Sequence, residues 1–378
     1  MRKVFIVIER RADYSRYRPI LHKLKEDPFF QIHLAVTGIC LLDKHGKDIN
    51  YIKEDGFEIN AEIPMFENQS EDTGAEMVRS MSRVMFGLVN ELEKAKPDIV
   101  LSGFDIGANF AVTVAAAHMN IPVAHIQGGE VTGSIDESLR HAMSKFAHIH
   151  FPATELSKQR LIRMGEKSES IFVVGCPSID VLINTPFLKR EEVEKALDLD
   201  LSKPTLLMIQ HPVTTEWMNS FDQIKETIEA IKDSRVQCVF LLPNNDAGHS
   251  KIIEYIKSNG VKWFPSLPTN IFINLYRNVH ALIGNSSSGI HETPTLKIPA
   301  INIGTRQQGR ERAGNVIDVS HNREKILEAI NKALFDNDFR NYVKAIKNPY
   351  GEGNSAEKIV AILKKVSLDG IVQKIFHD

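Results

Sequence analysis

Residues 97–130 read PDIVLSGFDIGANFAVTVAAAHMNIPVAHIQGGE. Two short apolar runs, Ile99–Ser102 and Val123–Ile126, bracket a longer segment suited to a helix. Strands too apolar to face water on either side, joined through a helix, are the pattern of a parallel sheet covered on both faces. The alternation extends outward from here. Upstream it predicts strands at Val4–Ile8 and His33–Thr37. It also predicts a helix over Thr73–Lys96, where Met77, Met81, Val84, Met85, Leu88 and Leu92 recur at helical spacing and Pro97 ends the run, so the methionine stripe reads as core. Downstream it predicts strands at His148–Phe151 and Ile171–Val174.

A second series follows Asn184-Thr185-Pro186, with strands expected at Thr205–Ile209, Gln237–Leu242, Lys262–Phe264, Ala281–Ile283 and Ala300–Ile303. A chain of 378 residues exceeds the size at which one core stops growing. The fold class expected is therefore α/β, with two Rossmann-like domains facing a cleft. The expected limits are 1–184 for the first domain, 185–355 for the second, and 356–378 for a helical segment docking back on the first.

Lys and Arg number 46 against 48 Asp and Glu, with no long block of one sign. That balance argues against nucleic-acid or membrane-surface binding and for a small-molecule partner. The apolar run before Glu9-Arg10-Arg11 is too short for a signal peptide, and no run approaches the ~20 residues of a membrane helix, so a cytoplasmic location is expected. Cys40, Cys176 and Cys238 lack C-x-x-C spacing and read as structural thiols. No His, Cys and acid cluster has metal-ligand spacing, so neither metal nor cofactor is expected.

In open parallel sheets ligands bind beyond the carboxyl ends of the strands. The polar residues there are Arg11, Asp13 and Ser15, then Asp105, Gln127 to Glu130, His211, Asn244, and Asn285 to Ser288. Gly284-Asn285-Ser286-Ser287-Ser288-Gly289 leaves a strand and enters a helix, offering backbone N–H groups and hydroxyls to a diphosphate; the alternative is a plain helix cap. Glu292, one turn on, either accepts from ribose hydroxyls or complements the helix dipole. Arg306 stands where a guanidinium clamps phosphate oxygens, if the strands are sequentially ordered, or is simply a surface arginine. His211 is placed for phosphate contact or proton transfer, or is structural. In Gln127-Gly128-Gly129-Glu130 the glycines let the main chain approach a ligand. Asp136 reads equally as a catalytic carboxylate and as an acid at a helix start.

Taken together, Arg11-Ala12-Asp13-Tyr14-Ser15, Gly128-Gly129-Glu130-Val131, Ile135-Asp136, Arg140-His141-Ala142, Gly175-Cys176-Pro177-Ser178, Gln210-His211-Pro212-Val213-Thr214-Thr215, Asp246-Ala247-Gly248, Ile283-Gly284-Asn285-Ser286-Ser287 and Gly304-Thr305-Arg306-Gln307 resemble the hydrolysing UDP-N-acetylglucosamine 2-epimerases of sialic acid biosynthesis. The resemblance spans nearly the whole chain. It implies a fold like that of the two-domain nucleotide-sugar glycosyltransferases and a homodimer or homotetramer. It also implies that Arg11, Ser15, His211, Asn244, Ser286, Ser287, Glu292 and Arg306 contact UDP, with Asp105 and Asp136 among the catalytic carboxylates. The implied reaction removes the C2 proton, eliminates UDP and hydrates the resulting glycal to N-acetylmannosamine, with UDP a product and no cofactor.

Two departures fall at the chemistry. The usual Gly-Asp-Arg is Phe104-Asp105-Ile106 here, which keeps the acid and loses the cation. The usual His-Ile-Glu-Gly-Gly-Glu has Gln127 for its first acid, and a carboxamide accepts no proton. Proton transfer then falls to Asp105, Asp136 or Glu130. Otherwise the substrate is a different nucleotide sugar, such as the UDP-2,4-diacetamido-trideoxy-glucose of legionaminic acid biosynthesis, or the chain binds without turnover. A glycosyltransferase of the same architecture is the rival enzyme. Lys251 and Lys257 but no arginine lie between Ser250 and Asn259, which argues against the feedback site of the animal enzyme.

Overall fold

The computed structural model describes all residues except 44, 45, 68–70, 105, 106 and 378. The chain divides into two compact units. The first comprises Met1–Glu130, Ile135–Val181 and Tyr350–Asp378, and the second Val131–Ser134 and Leu182–Pro349.

The first unit holds β1 (Arg2–Ile8), β2 (Phe30–Thr37), β3 (Ala61–Ile63), β4 (Ile99–Gly103), β5 (Val123–Ile126) and β6 (Ile149–Phe151), in spatial order β3-β2-β1-β4-β5-β6. Every pairing is parallel. Along β1 the residues Val4 to Ile8 are wholly buried, and they alternate between two cores: Val4, Ile6 and Ile8 in one, Phe5 and Val7 in the other. That two-sided burial is what a run without polar alternation encodes. The helix Gly74–Ala95 buries Val84, Leu88, Leu92 and Ala95 in the Phe5 and Val7 core, with Met81 and Met85 at its margin. Thr73 caps its first turn by accepting from Glu76 N, and Lys96 ends it in the left-handed region before Pro97.

The second unit repeats the scheme. Its strands are β7 (Thr205–Ile209), β8 (Gln237–Leu241), β9 (Lys262–Phe264), β10 (Ala281–Gly284), β11 (Ala300–Ile303) and β12 (Val316–Val319), in order β12-β11-β10-β7-β8-β9, again all parallel. Leu206 and Met208 face one core, Leu207 and Ile209 the other. In both units the chain starts at the centre, winds to one edge and returns to wind to the other. The strand order therefore reverses between β1 and β4, and between β7 and β10, and at such points the loops part to leave a crevice.

Three strand assignments differ from the sequence reading. The short edge strands β3 and β12 were passed over, because three or four residues with a Glu or Asp among them carry little apolar signal. The expected strand Ile171–Val174 is not one: it joins the sheet through a single bridge, His150 to Ile171. The helix Ser355–Lys365 lies on the helix Arg11–Glu26, with Ile359 and Leu363 fully buried in one core with Tyr17, Ile20 and Leu24. All three cysteines are free. Among the described residues no helix is long and apolar enough to cross a membrane, and no group of three His, Cys or acidic residues is placed to hold a metal ion.

Candidate active site

In the second unit the crevice lies between β7 and β10. Gly284 closes β10 at φ +127°, where an added Cβ would stand 2.1 Å from the Ile209 carbonyl oxygen, so only glycine brings the two strand ends this close. Asn285, fully buried, then bridges the ends twice: its Oδ1 accepts from His211 N at 2.7 Å and its Nδ2 donates to His211 O at 2.8 Å. This pairing leaves the following serines half-buried at the mouth. Ser286 Oγ lies 3.0 Å from Ser288 Oγ and accepts from Ser288 N at 3.3 Å. Ser287 occupies the cap position of a four-residue helix, Ser288–His291, without a side-chain cap hydrogen bond. The helix expected here is made of two short ones, with Glu292 at the joint before Thr293–Leu296.

Glu292 is buried, and its Oε2 has no hydrogen-bond partner among the described residues. Beside it, Tyr276 donates to Ser288 O at 2.8 Å, and burial together with the Glu292 charge pushes the phenol well up. From the loop after β11, Arg306 Nη1 and Gln307 Nε2 both donate to Asn285 O, at 3.2 and 2.8 Å. The guanidinium thus stands beside the serine loop, as sequential strand order requires. From the loop after β8, Asn244 places both its backbone N–H and its Oδ1 at 3.2 Å from His211 Nδ1. Asn244 Nδ2 is held in turn by Asp246 at 2.8 Å. His211, Asn244, Ser286, Ser287, Glu292 and Arg306 are therefore gathered at the carboxyl ends of neighbouring strands.

In the first unit Arg11 opens the helix after β1, its guanidinium 3.0 Å from Asp48 and stacked 4.0 Å over the Tyr51 ring, with Ser15 one turn further on. Burial pushes the Asp48 carboxyl up, against the opposing pull of Arg11. Glu9 is a residue that sequence reasoning missed. Fully buried directly after β1, it accepts from Ala108 N at 2.6 Å at the start of the helix Gly107–His118, and a Cβ on Gly107 would come within 2.0 Å of its carboxylate. An acid immediately after an apolar strand was the available signal. Asp105, the first expected catalytic carboxylate, lies outside the described residues.

At the end of β5, Gln127 is buried with φ +60° and donates its backbone N–H to Phe151 O at 2.9 Å. Its Nε2 donates to Glu130 Oε1 at 2.8 Å, while its Oε1, also buried, has no partner among the described residues. The two glycines between them are required by packing. A Cβ on Gly129 would meet Ser157 O at 2.3 Å, and one on Gly128 would meet His125 Nδ1 and Ser144 Oγ at 2.9 Å, so they serve the packing of the turn. Arg160 and Arg140 donate to the carbonyls of Gly129 and Glu130 at 3.2 and 3.4 Å. His125, wholly buried, is held neutral by that burial and bonded to Ser144 Oγ. Asp136 is the first residue of the helix Asp136–Phe146 and is half-buried.

The family described as UDP-N-acetylglucosamine 2-epimerase matches residues 22–364. A relative from Legionella pneumophila, a hydrolysing UDP-N,N'-diacetylbacillosamine 2-epimerase, is 36% identical over 97% of each chain. A GDP/UDP-N,N'-diacetylbacillosamine 2-epimerase from Campylobacter jejuni is 33% identical over 100% of this chain and 99% of its own. A UDP-N-acetylglucosamine 2-epimerase from Neisseria meningitidis is 31% identical over 88% of each. Among solved structures, UDP-GlcNAc 2-epimerase from Neisseria meningitidis bound to UDP-GlcNAc superposes with a TM-score of 0.83, covering 96% of this chain and 100% of that one at 21% identity. The S. aureus MnaA–UDP structure superposes at 0.81, covering 100% of both chains at 19% identity. At those identities the structural likeness speaks for the fold.

Proposed function

The chain belongs to the UDP-N-acetylglucosamine 2-epimerase family and is an epimerase, and from that premise we propose that it hydrolyses a UDP-linked 2,4-diacetamido-2,4,6-trideoxy sugar with inversion at C2. The observation that carries the substrate is the likeness, at 36% and 33% identity over essentially the entire chain, to two epimerases named for N,N'-diacetylbacillosamine. UDP-N-acetylglucosamine, the substrate first expected from the sequence, is the second reading, supported by the 31% identical relative named for it.

In this reading the second unit holds the nucleotide. Ser286, Ser287 and Arg306 receive the phosphates, His211 contacts a phosphate oxygen, and the buried Glu292 carboxylate accepts from ribose hydroxyls. Removal of the C2 proton forms the C1–C2 double bond as the C1–O bond breaks and its electron pair leaves with UDP. Preorganised donors around the phosphates stabilise the departing charge. Water then adds across the double bond to give the free 2-epimer. Asp105 and Asp136 are carboxylates available to this proton traffic.

A proton NMR time course in D2O with each nucleotide sugar in parallel tests the reading. Release of UDP with a free sugar deuterated at C2, faster by at least about tenfold from the diacetamido substrate, is expected; each tenfold corresponds to about 1.4 kcal/mol of transition-state discrimination. Faster turnover of UDP-N-acetylglucosamine would reverse the substrate order. Bound UDP with neither sugar consumed would exclude the enzyme reading.

A further inference from the structure

Resting on the role given to Arg306 at the phosphates, we propose that the segment Val131–Ser134 is the brace that fixes this guanidinium for the departing diphosphate, with Gly133 its positioning residue. The chain leaves the first unit after Glu130, belongs to the second over Val131–Ser134 and returns to the first at Ile135. Within the second unit that segment makes one specific bond to the loop after β11: the Gly133 N–H donates to the Arg306 carbonyl at 3.1 Å.

Arg306 is therefore held at both ends, since its Nη1 donates to Asn285 O at 3.2 Å. The guanidinium is half-buried, and among the described residues no carboxylate stands within ion-pair distance of it. The other arginines of the loop are engaged elsewhere, Arg312 with Asp318 at 2.8 Å and Arg310 with His291 Nε2 at 2.7 Å. A cation fixed at a strand's carboxyl end beside the serine loop, with no acid of its own unit against it, is placed for an incoming anion.

Only glycine fits the brace. A Cβ on Gly133 would fall onto the Thr305 carbonyl oxygen and come within 3.2 Å of Gln308 Cβ. That carbonyl has little room to yield, because it accepts from Gln308 N at 2.8 Å while the Thr305 hydroxyl donates to Glu216 Oε1 at 2.6 Å. Val131 lies over Gly309, where a Cβ would stand 3.0 Å from Val131 Cγ2. Between the two contacts the segment is folded on itself, with Ser134 N donating to Thr132 Oγ1 at 3.3 Å. The loop that carries Arg306 thus rests on backbone from a distant part of the chain.

Elimination places the growing charge on the leaving UDP, and a cation stabilises that charge best when it is already in position. UDP affinity therefore reports the brace, and uridine, which has no phosphate, is the control. Titration calorimetry of the full chain with both ligands tests it, with thermal unfolding alongside. Arg306→Ala is expected to weaken UDP about tenfold or more, the scale of a hydrogen bond to a charged group, and to leave uridine unchanged. Gly133→Ala cannot keep the bond to the Arg306 carbonyl and is expected to weaken UDP about tenfold, with uridine again unchanged. Val131→Ala, a gentler change, is expected to weaken UDP about threefold at an unaltered melting temperature. Neither change should cost anything further in the Arg306→Ala background, because residues that act through one side chain do not add. UDP affinity that holds in both brace variants, that falls by the same factor without Arg306, or that falls together with uridine affinity would overturn the brace and leave Arg306 at the phosphates. Wild-type UDP affinity in Arg306→Ala would instead remove Arg306 from the nucleotide, and this inference with it.

Discussion

Asn285 and Ser287, two positions apart in one loop, show how differently neighbouring polar residues are employed. Asn285 satisfies the backbone N–H and carbonyl of His211 inside the core, and its own carbonyl anchors Arg306 and Gln307. Asn285→Ala leaves two buried backbone groups unmatched, so a loss of about 2–4 kcal/mol is expected in denaturant unfolding. Ser287 makes no side-chain cap bond. Ser287→Ala is expected to weaken UDP binding by roughly 1 kcal/mol in titration calorimetry. A large stability loss at Ser287, with UDP affinity intact, would return it to the role of helix cap. The sequence shows both residues as small polar groups at a strand end, but only the fold separates the buried bridge from the hydroxyl at the mouth.

Among the elements, the helix Asp136–Phe146 carries Asp136 at its start and is held at its end by the C-terminal tail. Lys374 Nζ donates to the carbonyls of Ser144 and Lys145 at 3.1 and 2.9 Å and to Glu166 at 2.6 Å. Glu166, buried, also receives Lys145 at 2.7 Å and His150 Nε2 at 2.9 Å. Burial alone would raise this carboxyl, but the His150, Lys145 and Lys374 donors outweigh it and hold it down to about 2. Because its folded value lies below the ordinary 4.5, its contribution is complete above pH 4.5 and disappears as pH falls toward 2. Acid unfolding of the wild type should therefore steepen across that window, by up to about 3 kcal/mol, and Glu166→Gln should flatten it. Identical acid limbs in the two proteins would show that Glu166 is not a stabilising charge. None of this network is legible beforehand, since its members are separated by 16 to more than 200 positions in the chain.

At the scale of the molecule, the first unit is completed by the last residues of the chain. Cys176 N donates to Tyr350 O at 2.7 Å, Asp180 accepts from Ser355 N and Ala356 N at 3.1 and 2.9 Å, and Ile359 and Leu363 fill the core beside β1 and β2. Removing everything after Pro349 takes out two fully buried aliphatic side chains at about 2–5 kcal/mol each, a large share of a domain's usual stability. Scanning calorimetry of that shortened chain is expected to lose the transition of the first unit and to keep one that UDP raises. Retention of both transitions would mean that the first unit closes without its C-terminal helix.

Much of the fold was present in the order of residues. Runs of four or five branched apolar side chains with no polar alternation can be buried only between two layers, and that requirement produced both parallel sheets. Reversal of strand order then put His211, Asn244, Ser286, Arg306 and Gln127 at carboxyl ends, where their motifs had already placed them. Periodicity tells which face of an element is buried but not against what. The edge strands β3 and β12, the docking of the helix Ser355–Lys365, the capping of Ala108 by Glu9 across 99 positions and the pairing of Gln127 with Glu130 were decided only by tertiary structure. Apart from the Gln127–Glu130 pair, which the geometry of one turn decides, each depends on which distant parts of the chain the closed fold brings together, and local spacing holds no record of that.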